Sequence, residues 1–368
     1  MTVYNLKLTT LAPLHISDGI ELRQDFDFVV HHDRTYRLDE NAILEKYESE
    51  IQHRAPKYPL PGTLLQDTDF ANPALFRYQM IGTPRSVRAD ARLRSQIKDA
   101  FDRAYIPGSS LKGALRTALA WTGWDEIRPR LDRSAIGRNR SWAGQPLEHS
   151  LFGPDPNHDL LRALHVGDLN GPTRPGESMI VVNAQVVTIR STGSPVELEA
   201  IRPDVVFTGA LTVDDALFSG FAENVLHFSK HKHWLEEIMA RAQKHSLARL
   251  QRLAEWHERA EQNEAVAGFY RKMLAAEMGP NAAFIQLGWG GGWDSKTFGS
   301  HLQKDTTLFD SLLSDFKMQH RSRNAPPRKP GDAFPASRRV AVSVKLGGRP
   351  ARPLGWVLVE LEKIDPHA

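Results

Sequence analysis

The stretch IPGSSLKGALR, residues 106 to 116, combines residue types that can grip an anion. Pro107-Gly108 makes a tight turn, Ser109 or Ser110 can cap a helix, and Lys112 and Arg116 lie four apart on one helix face. The first N–H groups of a helix lack internal partners and sit at the positive end of its dipole. A phosphate held there gains hydrogen bonds and charge complementarity together. Gly113 and Ala114 leave room for a second backbone. Leu111, Leu115, Ala118 and Leu119 gather on another side, so the pattern equally fits a capped core helix whose basic face is solvated.

A second candidate is LGWGGGWDSKTFG, residues 287 to 299. Gly290, Gly291 and Gly292 are costly to order, and a chain that keeps them needs unusual φ angles or a close backbone approach. Lys296 follows, but the P-loop of nucleotide hydrolases needs glycine directly before its lysine, where this chain has Ser295. Trp289 and Trp293 flank the glycines. An indole beside a phosphate-cradling backbone can stack a base, a contact worth about 1–3 kcal/mol. The competing reading is a glycine-rich turn with two core tryptophans.

Other constellations carry less. His227, His231 and His233, with Glu236, have metal-like spacing without a clear fourth ligand, and a solvated helix face explains them as well. His15 follows an apolar stretch and reads as a core or turn histidine. Asp18, Asp25 and Asp27 could bind a metal or activate a 2′-hydroxyl, although acids at turns are routine. Neither a G-x-S-x-G motif nor a dinucleotide fingerprint is present. No catalytic residue, metal or cofactor is assigned.

These residues need elements to hold them. Tyr4, Leu6 and Leu8 alternate with polar residues, predicting a strand that runs to Leu14 or Ile16, and Asp18-Gly19 then turns the chain. Strands are expected at 26 to 30 and at Thr35 to Leu38, followed by proline-broken helical pieces from Asn41 to Arg103. Further strands are expected near 163 to 169, at Val181 to Ile189 and at Val205 to Val213. Trp234 to Met278 predicts one or two long helices, stopped by Gly279-Pro280. Lys317 to Arg339 reads as a mobile basic loop, and WVLVELEKI as a closing strand beside the first. With 47 Lys+Arg against 44 Asp+Glu the net charge is only +3, so nucleic-acid binding must rest on local clusters. The chain has no cysteine, which excludes disulfides and thiolate metal sites. Without a signal-like start or a long apolar run, a soluble cytoplasmic protein with no membrane partner is expected.

IPGSSLKGALR resembles the signature helix of the RAMP superfamily of CRISPR-associated RNA-binding proteins, whose domains resemble the ferredoxin-like RNA-recognition fold. LHISDG (14 to 19), LFG (151 to 153) leading to HVGDL (165 to 169), and the glycine-rich stretch resemble the family in its order. Within the superfamily the combination is similar to the subunit of type III-A effector (Csm) complexes that caps the backbone filament at the 3′ side of the guide RNA, the crRNA. The resemblance implies an α+β fold of tandem ferredoxin-like (RRM-like) domains with antiparallel sheets and helical insertions. Residues 1–220 would form the first domain, with a helical insertion at about 41–104. Residues 221–368 would form a helical and ferredoxin-like second domain carrying the glycine loop.

The resemblance also implies a binding and assembly role without catalysis. Ser109, Ser110, Lys112 and Arg116 would lie near guide phosphates, and Gly290, Gly291, Gly292, Lys296, Trp289 and Trp293 along the RNA path. Basic segments 128 to 140 and 317 to 339 would add salt-sensitive binding. Implied partners are crRNA and the repeated backbone subunit, with the small subunit, target RNA and host nucleases beyond them. The alternative is a metal-dependent ribonuclease that cuts target RNA or processes guide RNA, since Asp25 or Asp27 falls roughly where the repeated subunit keeps its cutting aspartate. Against it, residues from His31 to Tyr105 separate those aspartates from the signature helix. In guide-processing members the glycine loop lies close to the C-terminus, whereas about seventy residues follow it here.

Overall fold

Alternation decides the first strand. In the computed structural model, Thr2–Thr10 buries Leu6 and Leu8 and leaves Asn5 and Lys7 exposed. The structure describes residues 1–53, 58–86, 91–137, 139–227, 229–318, 329, 332–343 and 347–364. The strand ends at Thr10 rather than at Leu14 or Ile16, because Pro13 interrupts it and Leu14 keeps only a single bridge to Ile201. The closing strand Trp356–Lys363 lies beside it as expected, Leu8 opposite Val359 and Leu6 opposite Leu361.

These two strands centre a wholly antiparallel sheet. Ala282–Gln286 flanks Trp356–Lys363 on one edge. Beyond Thr2–Thr10, the order continues through Val206–Val213 and Leu169–Asn170 to Tyr105–Ile106. The signature helix, Gly108–Ile127, shares its core, burying Leu111, Leu115, Ala118 and Leu119 with Leu6, Leu8 and Phe207. Trp234 packs against this helix at Gly123, where a Cβ would lie 2.2 Å from the indole.

The second sheet is mixed, which corrects the expectation of antiparallel sheets throughout. Its order is Ser17–Arg23, Arg92–Gln96, Thr192–Ile201, Met179–Val187, Phe76–Ile81, Arg34–Leu38 and Phe28–His31, and Arg338–Ser343 also pairs with Met179–Val187. Leu198 runs parallel to Arg94, and Ile180 to Ile81. Asp18-Gly19 is no turn; both residues belong to the exposed edge strand Ser17–Arg23, where the positive φ of Gly19 falls in an irregular stretch of pairing. The segment expected to be helical, 41 to 104, does hold Glu40–Lys46 and Glu48–His53, but also two strands of this sheet. Tyr78 and Met80 alternate inward there and override the surrounding prolines.

Trp234 to Met278 resolves into Lys232–Glu236, Ile238–Arg259 and Glu264–Leu274. The long helix Ile238–Arg259 lies on the Ala282–Gln286 strand, where Gln243 accepts from the Phe284 amide at 2.9 Å. Much of the basic segment 317 to 339 lies outside the described residues, but Arg338 and Arg339 begin a strand. Both sheets draw strands from either side of residue 220.

Candidate nucleic-acid interface

The signature helix begins one residue before the serines. Pro107 is the N-cap and makes no side-chain capping bond, so neither Ser109 nor Ser110 caps the helix. The reason lies elsewhere in the chain: the Gly108 amide donates to Asp168 Oδ1 at 2.8 Å, a carboxylate from HVGDL that satisfies the helix start and faces its dipole. Gly108 permits this approach, since a Cβ there would stand 2.1 Å from the Val166 carbonyl oxygen. The Ser110 and Leu111 amides turn back to the Pro107 carbonyl, at 2.9 and 3.4 Å. Ser109 is exposed and Ser110 half-buried.

Lys112 and Arg116 are engaged within the protein. Lys112 donates to the Leu164 carbonyl at 2.7 Å, and burial pushes its pKa down against the opposing pull of Asp159. The Arg116 guanidinium reaches Asp159 at 2.7 Å and Glu148 at 3.1 Å and lies over the Phe152 ring of LFG. The signature helix, the LFG turn and the HVGDL strand thus form one braced unit.

The glycine loop is anchored just as specifically at its start. Gly288 has φ +69° and a Cβ there would come within 2.2 Å of the His15 carbonyl oxygen, which also accepts from the Trp289 amide at 2.8 Å. LHISDG is therefore the bed of the loop. Gly290 packs on Leu354, Gly291 on Ser295 and Gln286, and Gly292 faces open space. Gln286 holds this floor by donating to the Leu354 carbonyl at 2.8 Å and accepting from Arg249, a fully buried guanidinium whose pKa burial lowers to about 10. Trp293 is packed by Phe309 and Phe334, with Gly299 leaving space for its ring, and lines the groove only in part. Lys296 is exposed and has no carboxylate partner among the described residues.

Between these units opens a groove of about 950 Å³. Ser109, Ser110 and Gly113 line one wall, Trp289 and Lys296 the other, and Phe309 and Leu313 of the helix Thr306–Asp315 close one side. Two motifs far apart in sequence therefore face each other across one cleft. The contribution of Thr306–Asp315 was carried in the sequence only by its amphipathic spacing.

The weaker candidates go elsewhere. His15 is buried, its Nδ1 bonded to the Glu199 carbonyl, and burial lowers its pKa. Asp18 accepts from Ser95, Asp25 from Gln24, and Asp27 from the Arg23 amide beside Arg37. His227 ends a short helix, His231 packs on Trp234 with its pKa lowered to about 4 by burial, His233 meets Glu126, and Glu236 pairs with Lys232. Among the described residues no three His, Asp or Glu side chains form a group that could hold a metal ion, and no helix is long and apolar enough to cross a membrane.

A CRISPR system Cms protein Csm5 of Streptococcus thermophilus is 31% identical over 134 residues, spanning 32% of this chain and only 37% of that protein's length. A chain of the cryo-EM Csm–crRNA–target RNA ternary complex of a type III-A CRISPR-Cas system superposes with a TM-score of 0.72 at 22% identity, covering 98% of this chain and 100% of that one. The crystal structure of T. onnurineus Csm5 gives 0.62 at 21% identity, over 95% and 99%. The fold is thus Csm5-like, α+β with sheets and helices in the same arrangement. Residues 7–293, spanning both the signature helix and the glycines of the loop, match the sequence model of the RAMP superfamily, and the chain belongs to that superfamily.

Proposed function

We propose that the chain is a non-catalytic RNA-binding subunit of a type III-A CRISPR-Cas (Csm) effector complex. In this reading it caps the backbone filament, binds the 3′ part of the crRNA, and contributes to crRNA maturation and antiviral defence. The groove between the signature helix and the glycine loop carries the reading. It offers hydroxyls, an exposed ammonium and an indole, groups that suit a sugar-phosphate strand of any sequence. The RNA path runs over Ser109, Ser110, Trp289, Gly290 to Gly292 and Lys296, with Trp293 behind it. Lys112 and Arg116 hold the helix in place, Arg116 while lining the groove itself. The two sheets with their helices serve as tandem ferredoxin-like units. The repeated backbone subunit is the principal protein partner, with the small subunit, target RNA and host nucleases reached through the assembly. The ribonuclease reading draws no support from Asp25 and Asp27, whose carboxylates are engaged by Gln24, the Arg23 amide and Arg37.

Gly113→Phe tests the reading directly. A Cβ at Gly113 meets nothing within 4 Å, and replacing a mid-helix glycine does not strain the fold. The added ring enters the groove. RNA binding and loading into the complex should weaken by about 1–3 kcal/mol, the worth of one lost base stack, and equally for guides of different sequence. A folded Gly113→Phe protein that loads crRNA like the wild type refutes the groove as the RNA path.

A further inference from the structure

Two cations converge on Trp289, Arg339 from the end of the basic run 317 to 339 and Arg94, which no sequence motif marked. Arg94 comes from Arg92–Gln96 and Arg339 from Arg338–Ser343, separate strands of the mixed sheet, and their guanidinium carbons stand 5.7 and 4.9 Å from the indole centre. Such positions over an aromatic ring favour a cation, yet two cations at one ring repel each other. Their counter-charge is thin. Glu21 approaches Arg94 only to 3.7 Å with both side chains well exposed, and Arg339 has no carboxylate partner among the described residues. Arg339 feels this directly: burial and then the charge of Arg94 push its pKa down. Trp289 is meanwhile anchored with its amide on the His15 carbonyl and its ring edge-on to the His15 imidazole at 6.4 Å. It also lines the groove that Ser109 and Ser110 line.

We propose that Arg94, Trp289 and Arg339 form a phosphodiester-binding station at one end of this groove, receiving a backbone phosphate of single-stranded RNA between the two guanidiniums with the adjoining sugar or base against the indole. The inference rests on the RNA reading above and adds to it where the strand is fixed. One anion between two guanidiniums relieves their repulsion and matches their planar donors. The indole supplies an apolar wall that a bare inorganic anion would not use. Trp289 lines the same groove as Lys296, and its volume of about 950 Å³ leaves room for the strand to continue from the two arginines beside it.

The test is salt-dependent binding of the full chain to a labelled oligouridylate, measured between about 50 and 200 mM salt. Arg94→Gln with Arg339→Gln should flatten the slope of log affinity against log salt by about 1.4, two contacts at 0.7 each for single strands, and weaken binding most at low salt. Arg94→Lys with Arg339→Lys, which keeps the charges, should retain most of the slope. Wild type that binds while the Gln pair shows the same slope and affinity overturns the station and leaves the RNA reading standing. Wild type that binds no RNA at either salt overturns both. Displacement of the RNA by inorganic phosphate at equal phosphate concentration identifies a free-anion site and overturns the phosphodiester assignment.

Discussion

The signature helix and the glycine loop are built from the same materials, small residues followed by a cation, and use them in opposite ways. At the helix the materials are consumed internally: Gly108 admits the Val166 carbonyl, Asp168 takes the first amide, and Lys112 and Arg116 are bonded to Leu164, Asp159 and Glu148. In the loop only the first part is consumed. Gly288 and Gly290 press on His15 and Leu354, whereas Gly292 meets open space and Lys296 stays exposed. Under the proposed function, what separates a brace from a binding group is not its spacing but whether another part of the chain supplies its counter-charge. For the helix that counter-charge comes from segments dozens of residues downstream.

Acid should break both regions together, and most severely. His15, beneath the loop, and His245 and His257, on the long helix, are buried, and burial pushes their pKa values down, to about 4 for His257. A base whose folded pKa lies below its unfolded value binds protons preferentially in the unfolded chain. The His257 contribution is thus fully present above pH 6.5 and lost as pH falls from there through about 4, and those of His15 and His245 are lost in the same direction. Urea titrations from pH 7 to 4.5 should lose about 2–3 kcal/mol through His257, at about 1.4 kcal/mol per pH unit below 6.5, with His15 and His245 adding to the loss. RNA release on acidification should then follow unfolding; release from a still-folded protein would mean that the groove itself titrates.

Glycine replacement comes next. Gly288→Ala places a methyl 2.2 Å from the His15 carbonyl oxygen at a φ of +69°, combining a collision with a left-handed backbone. About 2–5 kcal/mol should be lost, from overpacking and left-handed strain together. Gly108→Ala meets the Val166 carbonyl oxygen at 2.1 Å but has an ordinary helical backbone, so gained helix propensity offsets part of a cost of about 1–3 kcal/mol. Denaturant midpoints rank the two. The reverse ranking would place the tighter anchor at the helix.

Much of this frame was legible because periodicity reports burial. Leu6 and Leu8 marked the first strand, WVLVELEKI its partner, and the spacing beyond Trp234 the long helices. Charge placement was not legible, because a buried ion pair leaves no periodic trace. Thr192–Ile201 escaped notice with its Gly193, Pro195 and two glutamates. Yet Glu199 is fully buried, accepting from Tyr78 at 2.8 Å, the Gln96 amide at 3.0 Å and the Lys98 ammonium at 2.6 Å. Arg338 was read as part of a mobile basic run. It is instead paired with Asp294 at 3.3 Å and set over Trp256, holding the glycine loop to the mixed sheet. Of the proposed site, the two motifs could be named from the sequence. The Asp168 cap and the engagement of Lys112 and Arg116 could not, since each depends on a residue brought from elsewhere by the fold.

The smallest expected effects discriminate best between brace and binding group. Arg116→Met keeps an apolar stem over Phe152 but forfeits the bonds to Asp159 and Glu148, which for a partly exposed pair are worth about 1 kcal/mol of stability. It should leave the salt slope of RNA binding unchanged, because that charge already has its partners. Lys296→Met should do the opposite, shifting stability by less than about 0.5 kcal/mol while flattening the slope by about 0.7, one phosphate contact on a single strand. Paired urea and salt titrations of the two variants read both quantities. If Arg116→Met flattens the slope and Lys296→Met does not, the helix cation must leave Asp159 and Glu148 when RNA arrives. The contrast between the two regions would then be a property of the unliganded protein alone.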